Sequence, residues 1–419
     1  MNLVVSPALQ PPASLQSILE ASWSQTAQEL GLVETLTRFA QDGAKRDVER
    51  RLLFPEIAEV KAFRLGAARL PKHLGGHGLT LPQLFLLARD IATADSNLAH
   101  VLRNHFHAVE RHLRTPDDPF SHKFLELVAG GAILGGAYSE KGAGPAGAIG
   151  GTGTTLKKVA GGYVLNGVKA YSTGNLYSDY LFVSAVWADT GEPQQIFIPR
   201  HRKGVRIEDD WEGFGQKLTG SGSTHFRDVT VSEEDLVPQD EQTARYPGHY
   251  QFTFPQLFLT TVISGIMQRI FADAVVLTAS RSRNYYHAQA ASIAAEPAVQ
   301  SVIGQIAAHT HAIAAVVDRA AGKLDHAWQK RDDAEGKRFS LDATIAAAEA
   351  KVVAEEAATR LAGSLIDLAS GSSVSLERAL DRHWRNIKVI SSHNPRIYKE
   401  RVLGDYYLNG TTPPTGPFF

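Results

Sequence analysis

Tyr180-Leu-Phe-Val-Ser-Ala-Val-Trp187 is the stretch on which the reading of the fold turns. Eight residues rich in aromatic and β-branched side chains, bounded by Ser178-Asp179 and by Ala188-Asp-Thr-Gly191, read as a strand between turns. Similar short runs flank it: Tyr163-Val-Leu165 before, Gln195-Ile-Phe-Ile198 and Val229-Thr-Val231 after, separated by clusters of Gly, Asn, Asp and Pro. That spacing predicts an antiparallel sandwich or barrel from about Gly130 to Leu236. Outward from this zone the texture changes on both sides. From about Ser14 to Leu127, apolar residues recur at helical intervals, as in Leu32, Leu36, Phe39 and in Leu84, Leu87, Ile91, with Pro55, Pro71 and Pro82 dividing the helices. From Leu257 to about Ile390 the chain is again helical and rich in Ala, with Pro297 inside. The order is helices, sheet, helices. We therefore expect an α+β protein with an N-terminal helical domain over 1–130, a central β-barrel or sandwich domain over 131–240, and a C-terminal helical bundle with a tail over 241–419.

Composition narrows the chemistry. The 419 residues carry 43 Lys and Arg against 44 Asp and Glu, 43% hydrophobic residues and no cysteine. A formal net charge of −1 offers no broad attraction for nucleic acid or an anionic membrane. Without cysteine, disulfide scaffolds, thiolate zinc sites, Cys-ligated iron–sulfur clusters and cysteine nucleophiles are excluded. The chemistry must come from oxygen and nitrogen side chains or from a borrowed cofactor. Met1 to Glu20 lacks the basic and apolar regions of a signal peptide. The most apolar run, Leu257 to Met267, is about 11 residues long and ends in Gln268-Arg269, short of the ~20 a membrane helix needs. We expect a cytoplasmic protein.

Several motifs have plain alternatives. Gly142-Ala-Gly144-Pro-Ala-Gly147 satisfies the dinucleotide pattern GxGxxG. That motif needs a helix opening at the glycines and an acidic residue for the ribose. Pro145 and Gly150-Gly-Thr-Gly153 oppose the helix, and the acid is missing, so the stretch reads as a loop. His100, His105, His107 and His112 share one helical segment, where His100/His107 and His105/His112 each fall near one face. The spacing lacks a metal-ligand pattern, which leaves catalytic or cofactor-facing imidazoles and histidines hydrogen-bonded in a helix interface. No metal site is expected. His309-Thr-His311 points its rings to different faces and reads as structural. Arg382-His-Trp-Arg-Asn386, taken alone, reads as a solvated helix face. Arg281 and Arg283 have the chemistry to clamp a phosphate.

The order of elements and a set of motifs resemble the acyl-CoA dehydrogenase superfold. The family's stretch against its flavin matches Gly167-Val-Lys169-Ala-Tyr171-Ser-Thr173-Gly174; its Thr/Ser-Glu element matches Ser139-Glu140. Its Pro-x-x-x-Gly-Gly turn matches Pro71 to Gly78, and Thr219-Gly-Ser221-Gly-Ser223-Thr224-His-Phe226 follows its later pattern loosely. Where many dehydrogenases carry a catalytic Glu near the C-terminus, this chain has Ser391-Ser-His393-Asn-Pro395. That region, with Asp209-Asp-Trp211 and Asp95-Ser-Asn-Leu-Ala-His100, is similar to the group D flavin monooxygenases, the group of dibenzothiophene monooxygenase.

The resemblance implies a two-component enzyme. Reduced FMN, supplied by a separate NAD(P)H:flavin reductase, would form a C4a-(hydro)peroxide with O2 and oxygenate a small apolar substrate at sulfur, nitrogen or an aromatic carbon. FAD is the alternative cofactor, in an acyl-CoA dehydrogenase whose base lies elsewhere; a non-catalytic scaffold is a third reading. By the same resemblance His393, His100 and Thr173 are the catalytic candidates. Ser139, Tyr171, Ser172, Thr173, Trp211 and Arg283 would bind the flavin, with Arg283 reaching the phosphate in a neighbouring subunit of a homotetramer. Asn104, Phe214 and Trp211 would face substrate. The chain departs from the group's pattern at Thr173 (Ser there), Gly136 (Asn), Asn104 (an aromatic) and Ser372 (a second phosphate Arg).

Overall fold

A computed structural model describes residues 14–142, 153–238, 249–281, 283–368, 370–417 and 419. The glycine loop read as a non-nucleotide motif lies, beyond Gly142, outside the described residues, as does the boundary expected at 240/241. Helices fill the chain to Ala129, a seven-stranded sheet follows, and long helices return from Tyr250.

The decisive stretch is strand β4 (Tyr180–Trp187), and it organises the sheet. Along one edge it pairs in parallel first with β1 (Leu134–Ala137) and then with the start of β2 (Thr155–Val159); its other edge pairs antiparallel with β5 (Pro193–Pro199). β2 continues antiparallel to β3 (Gly162–Lys169), then β7 (Thr224–Val231) and β6 (Val205–Ile207). The sheet is therefore mixed, where alternation alone predicts antiparallel pairing throughout. The two parallel pairings join segments far apart in sequence, which a local pattern does not report. β4 reads as a nearly unbroken apolar run because both its faces are covered. Leu181, Val183 and Ala185 enter the sheet core with Ile196, Ile198 and Phe226, while Phe182 packs with Phe124 and Phe197 on the other side.

The helical parts close around one 30-residue helix, Tyr250–Ala279, called here the central helix. It packs against helices Leu81–Ala94, Ser96–His112, Pro297–Gln329 and Gly336–Asp367. Leu257, Val262, Ile263, Ile266, Met267 and Ile270 are all buried. The sequence reading ends the apolar run at Arg269; the structure carries the helix ten residues further, to Ala279. Among the described residues this helix is long and apolar enough to cross a membrane by length and composition, which corrects the shorter estimate. Of its apolar window 67% is buried inside the protein, as expected for a helix surrounded by other helices.

Arg269 does not end the helix because its charge is satisfied within the bundle. Its Nε donates to Asp273 Oδ1 at 2.8 Å and its Nη1 to the Ala40 carbonyl at 2.7 Å. The same carboxylate receives Arg382 Nη2 at 3.1 Å and His383 Nε2 at 2.7 Å from helix Asp381–Ser391. Arg382 and His383 are buried, so this is no solvated face, contrary to the sequence expectation. The carboxylate that explains them lies more than a hundred residues upstream. Burial alone would raise the Asp273 pKa, but Arg269, Arg382 and His383 hold it far below the usual carboxylate range. Asp273→Ala leaves two buried guanidiniums without their counter-charge and should cost about 3–5 kcal/mol of stability in urea unfolding. An unchanged urea midpoint would contradict this assignment.

Candidate active site

Helix Ser96–His112 supplies one wall of the site. Its start is pinned: the Asp95 side chain accepts the Asn97 N–H at 2.9 Å, and the buried Arg46 Nε donates to the same carboxylate at 2.9 Å. An acidic N-cap suits the helix dipole and two otherwise unsatisfied donors. From that anchor, His100, Arg103, Asn104, His107 and Arg111 follow at helical spacing along one face. His105 and His112 take another. His105 bridges the Gly66 carbonyl at 2.8 Å and the Leu134 N–H at 3.2 Å, and His112 meets Ser121 Oγ at 3.0 Å among Phe120, Phe124 and Phe182. Those two are interface histidines.

The second wall is the loop after β3. Lys169, the lysine of the motif, is fully buried and donates to Glu140 at 2.6 Å and Ser184 Oγ at 3.1 Å. Glu140 also accepts the Gly153 and Thr154 N–H groups. These two residues brace strands; neither faces the helix wall. Ser139 acts through its carbonyl, which accepts the Ala170 N–H at 2.8 Å, and its side chain is exposed. The loop then turns sharply, with Tyr171 at φ 55° and Gly174 at φ 86°. A Cβ on Gly174 would stand 2.9 Å from the Val101 carbonyl, so glycine permits the loop to touch the helix. Asn104 Nδ2 donates to the Thr173 carbonyl at 3.4 Å across that contact. The Thr173 hydroxyl meets Ser221 Oγ at 2.7 Å, which meets Thr219 Oγ1 at 2.7 Å, which donates to the Gln216 carbonyl at 2.8 Å. The Ser172 N–H donates to the Gly222 carbonyl at 3.1 Å.

His100 and His393 converge from opposite ends of the chain. His100 Nδ1 lies 3.2 Å from Gln216 Oε1; Gln216 Nε2 donates to Ser96 Oγ at 3.0 Å, and its N–H donates to Asn386 Oδ1 at 2.7 Å. Asn386 Nδ2 closes this junction on Ser96 Oγ at 3.1 Å. His393 follows helix Asp381–Ser391, and its Nε2 receives Arg103 Nη1 at 3.4 Å. Because a guanidinium cannot accept, that contact places the His393 proton on Nδ1. Next to it, Asn394 Nδ2 donates to Gln256 Oε1 on the central helix at 2.8 Å.

The electrostatics keep this wall basic but its imidazoles neutral. Burial and then Arg103 lower the His100 pKa to about 4. Burial, Arg103 and Arg111 lower that of His107 to about 3. His393 falls well below its ordinary value through burial, Arg103, His100 and two lysines. Arg103 itself is lowered by burial to about 10 and stays charged at neutral pH. Pro255 explains part of this arrangement. It lacks an N–H, so the Gln251 carbonyl one turn earlier is left open and takes His107, while the Pro255 carbonyl accepts Arg103 Nε at 3.2 Å.

Arg103, Gln216, Asn386, Ser221 and Tyr138 were missed by the sequence reading. Arg103 had a usable signal, since it stands three residues after His100 and four before His107 on the same helical face. Tyr138 occupies the space that the Asn-for-Gly136 departure concerns: a Cβ on Gly136 would stand 2.4 Å from the Tyr138 ring.

The aromatic candidates form two pairs. Tyr171 meets Trp211 edge-on, with ring centroids 6.2 Å apart, and Phe214 stacks on Trp384 at 6.0 Å. Trp211 is fixed by Nε1 donating to the Gln216 carbonyl at 3.0 Å. Tyr171, Phe214 and Trp384 are left largely uncovered by this chain. Arg283 is not brought to the site within one chain: it is exposed beyond the far end of the central helix, roughly 35 Å along the axis from Pro255 at 1.5 Å per residue. Ser372 lies in a short 3-10 turn between helices Gly336–Asp367 and Asp381–Ser391. His309 is exposed and bridges the Gln305 carbonyl and Arg360.

Uncovered aromatic rings, a loop of hydroxyl and backbone groups at Ser172-Thr173, and a basic wall opposite make a donor set that fits the ring of a flavin. Tyr171, Trp211 and the Ser172-Thr173 loop are the residues that would hold it.

Comparison with known proteins gives the family of the fold. Residues 135–229 match the family described as acyl-CoA dehydrogenase, middle domain, and residues 257–395 match acyl-CoA dehydrogenase, C-terminal domain. The probable FMNH2-dependent monooxygenase SfnC of Pseudomonas putida is 26% identical over 91% of this chain and 94% of its own. Dibenzothiophene monooxygenase of Mycolicibacterium goodii is 27% identical over 86% and 88%. The solved structure of methanesulfinate monooxygenase MsuC from Pseudomonas fluorescens superimposes with a TM-score of 0.82 at 27% identity, covering 94% of this chain and 99% of that one.

The buried histidines give the fold a pH dependence of definite sign. His100, His105 and His383 titrate near 4 and His107 near 3 in the folded protein, against about 6.5 unfolded. Their folded pKa values are depressed, so the unfolded chain binds more protons and stability is lost as pH falls from about 6.5 towards 4. Asp90, raised by burial to about 6, works in the opposite direction and offsets one of them. Unfolding at pH 5 should therefore take up protons; calorimetry in buffers of different ionisation enthalpy checks this, and proton release would contradict it.

Proposed function

We propose that this chain, which belongs to the acyl-CoA dehydrogenase family, works as a two-component FMNH2-dependent monooxygenase. It would take reduced flavin from a separate reductase and insert one atom of O2 into a small molecule at sulfur, nitrogen or an aromatic carbon. The observation that carries this reading is the contact of the Thr173 loop with Asn104, on the helix that also carries His100 and Arg103, together with the Arg103–His393 contact, with no carboxylate among these residues. Two monooxygenase relatives that span nearly the whole chain support it.

When bound, FMN supplies two electrons and the activation of oxygen, which protein side chains alone do not provide. The chain's part is to bind, orient, exclude water and manage protons. The Thr173 hydroxyl is oriented by a chain of donors through Ser221 and Thr219 that ends on the Gln216 carbonyl, which leaves the Thr173 oxygen as an acceptor towards the site. His393, neutral and protonated on Nδ1, would pass that proton on as its Nε2, beside Arg103, takes one back from solvent, a relay in place of a standing acid. His100 is held by Gln216 and lends a second neutral imidazole. Tyr171, Trp211 and Phe214 would cover ring and substrate, and Asn104 would face substrate beside Thr173.

The rival reading, a dehydrogenase with FAD, needs a base for an α-proton. The position that Glu holds in many dehydrogenases is in the His393 segment, which has no acid. The central helix, another place for such a base, carries one carboxylate, Asp273, and three basic side chains occupy it. A partner-binding scaffold has no use for a Thr173–Ser221–Thr219 hydroxyl chain.

Assembly is part of the proposal. Arg283 lies too far from its own Thr173 to serve the same flavin, so we assign it to the flavin phosphate of a neighbouring subunit in a homotetramer. We place the enzyme in the cytoplasm, beside its reductase.

Two outcomes test this reading. Anaerobically photoreduced FMN mixed with the protein and oxygen should yield oxygenated product from a panel of sulfides, amines and phenols; bleaching of bound FAD by an acyl-CoA instead would overturn it. His393→Ala should bind FMN within about threefold of the parent yet lose product by roughly 10²-fold or more, the scale of a positioned proton-transfer group. Normal turnover by that variant would end the relay assignment. Sedimentation checks the rest: an active monomer would contradict the role given to Arg283.

A further inference from the structure

Nearly every well-buried arginine of the helical parts is matched to a carboxylate. Arg46 has Asp95 and Glu56, Arg69 has Glu110, Arg269 and Arg382 share Asp273, and Arg385 has Asp47 and Asp381. Arg103 has none. Among the described residues, no carboxylate lies within 4 Å of its guanidinium; its two hydrogen bonds go to the Pro255 carbonyl and to His393, and Nη2 makes none. Two helical turns on, along the same face, Arg111 meets only the neutral Gln195 amide, at 3.0 Å. Between them stands His107, uncharged. Tyr138 feels both guanidiniums from across this face. Glu355, the carboxylate of a neighbouring cluster, is taken by Lys351 and also faces Lys399.

An unpaired guanidinium in a partly closed site is costly to keep, and a protein that pairs most of its other buried arginines has the means to pair this one. Arg103 directly precedes Asn104, whose side chain meets the Thr173 loop, and its guanidinium lies beside His393. We infer that Arg103, seconded by Arg111, binds an anionic group of the substrate, so that the enzyme takes a small molecule with an apolar body and one sulfinate, sulfonate or carboxylate end. Arginine suits such a group because its planar donors match two oxygens of the anion at once. The anion replaces the missing carboxylate, and its fixed position sets which atom of the apolar body faces the Thr173 loop. Arg103 would thus be a specificity-determining residue. This inference rests on reading the cleft as the substrate site, but not on the oxygen chemistry.

The test uses inert probes on the full chain, with and without saturating FMN, at ionic strength held constant with sodium chloride. Methanesulfonate is compared with its neutral isostere dimethyl sulfone, and acetate with acetamide, by isothermal titration and thermal unfolding. We expect one anion of the two to bind at least tenfold tighter than its neutral partner, the pair that responds distinguishing sulfonate from carboxylate. Arg103→Gln should abolish the preference and Arg103→Lys should retain part of it. Arg111→Gln, more peripheral, should weaken it a few fold and serves if Arg103→Gln does not fold. Equal binding of anion and neutral isostere, or a preference that survives in folded Arg103→Gln, would overturn the inference. So would loss of the preference when FMN saturates the protein, which would give the cation to the flavin. If the anion binds as expected but no substrate is oxygenated, the proposed function fails and this inference stands.

Discussion

The Asp273 carboxylate fixes where helix Asp381–Ser391 lies, and the site depends on that position. Arg269 holds it from one turn away, and Arg382 and His383 reach it from helix Asp381–Ser391. One turn along that helix, Asn386 joins Gln216 and Ser96, and Gln216 in turn holds His100. Further along, the same helix delivers His393 to Arg103. A buried cluster of this kind adds little net stability compared with an apolar core of equal volume. Its value here is geometric. The central helix can be in contact with helix Asp381–Ser391 in many registers, but one carboxylate with three fixed donors accepts only one.

That geometry explains why the site's imidazoles are neutral while its guanidiniums are not. Arginine keeps its charge through burial, and histidine beside it gives up its proton. Burial first and then Arg103 lower the pKa of both His100 and His393. The basic wall therefore combines permanent charge for binding with uncharged rings for moving protons. A dehydrogenase, which must remove a proton with a carboxylate, would be poorly served by such a wall. An oxygenase that must keep water and stray protons away from a reactive intermediate is well served by it.

Much of the fold was legible because it is written in local pattern. The strands at Tyr163, Tyr180, Gln195 and Val229 and the helical spacing of Leu84, Leu87 and Ile91 all stand where alternation and periodicity put them. The division of the four histidines into His100/His107 and His105/His112 follows from 3.6 residues per turn. What was illegible is non-local. The parallel pairing of β1 and β2 with β4 joins segments that no turn connects. Arg382 and His383 look solvated until Asp273, more than a hundred residues earlier, is brought beside them. Arg103 was visible as a residue but not as a feature, because being unpaired is a property of its surroundings.

The central claim is that this chain directs oxygen from O2 into an organic molecule using reduced FMN. The most direct measurement supplies ¹⁸O2 to the protein with reduced FMN and a converted substrate, and weighs the product. The account predicts a product heavier by one ¹⁸O atom, with the second atom in water. A product carrying oxygen from solvent, or a desaturated product lighter by two hydrogens, would contradict it.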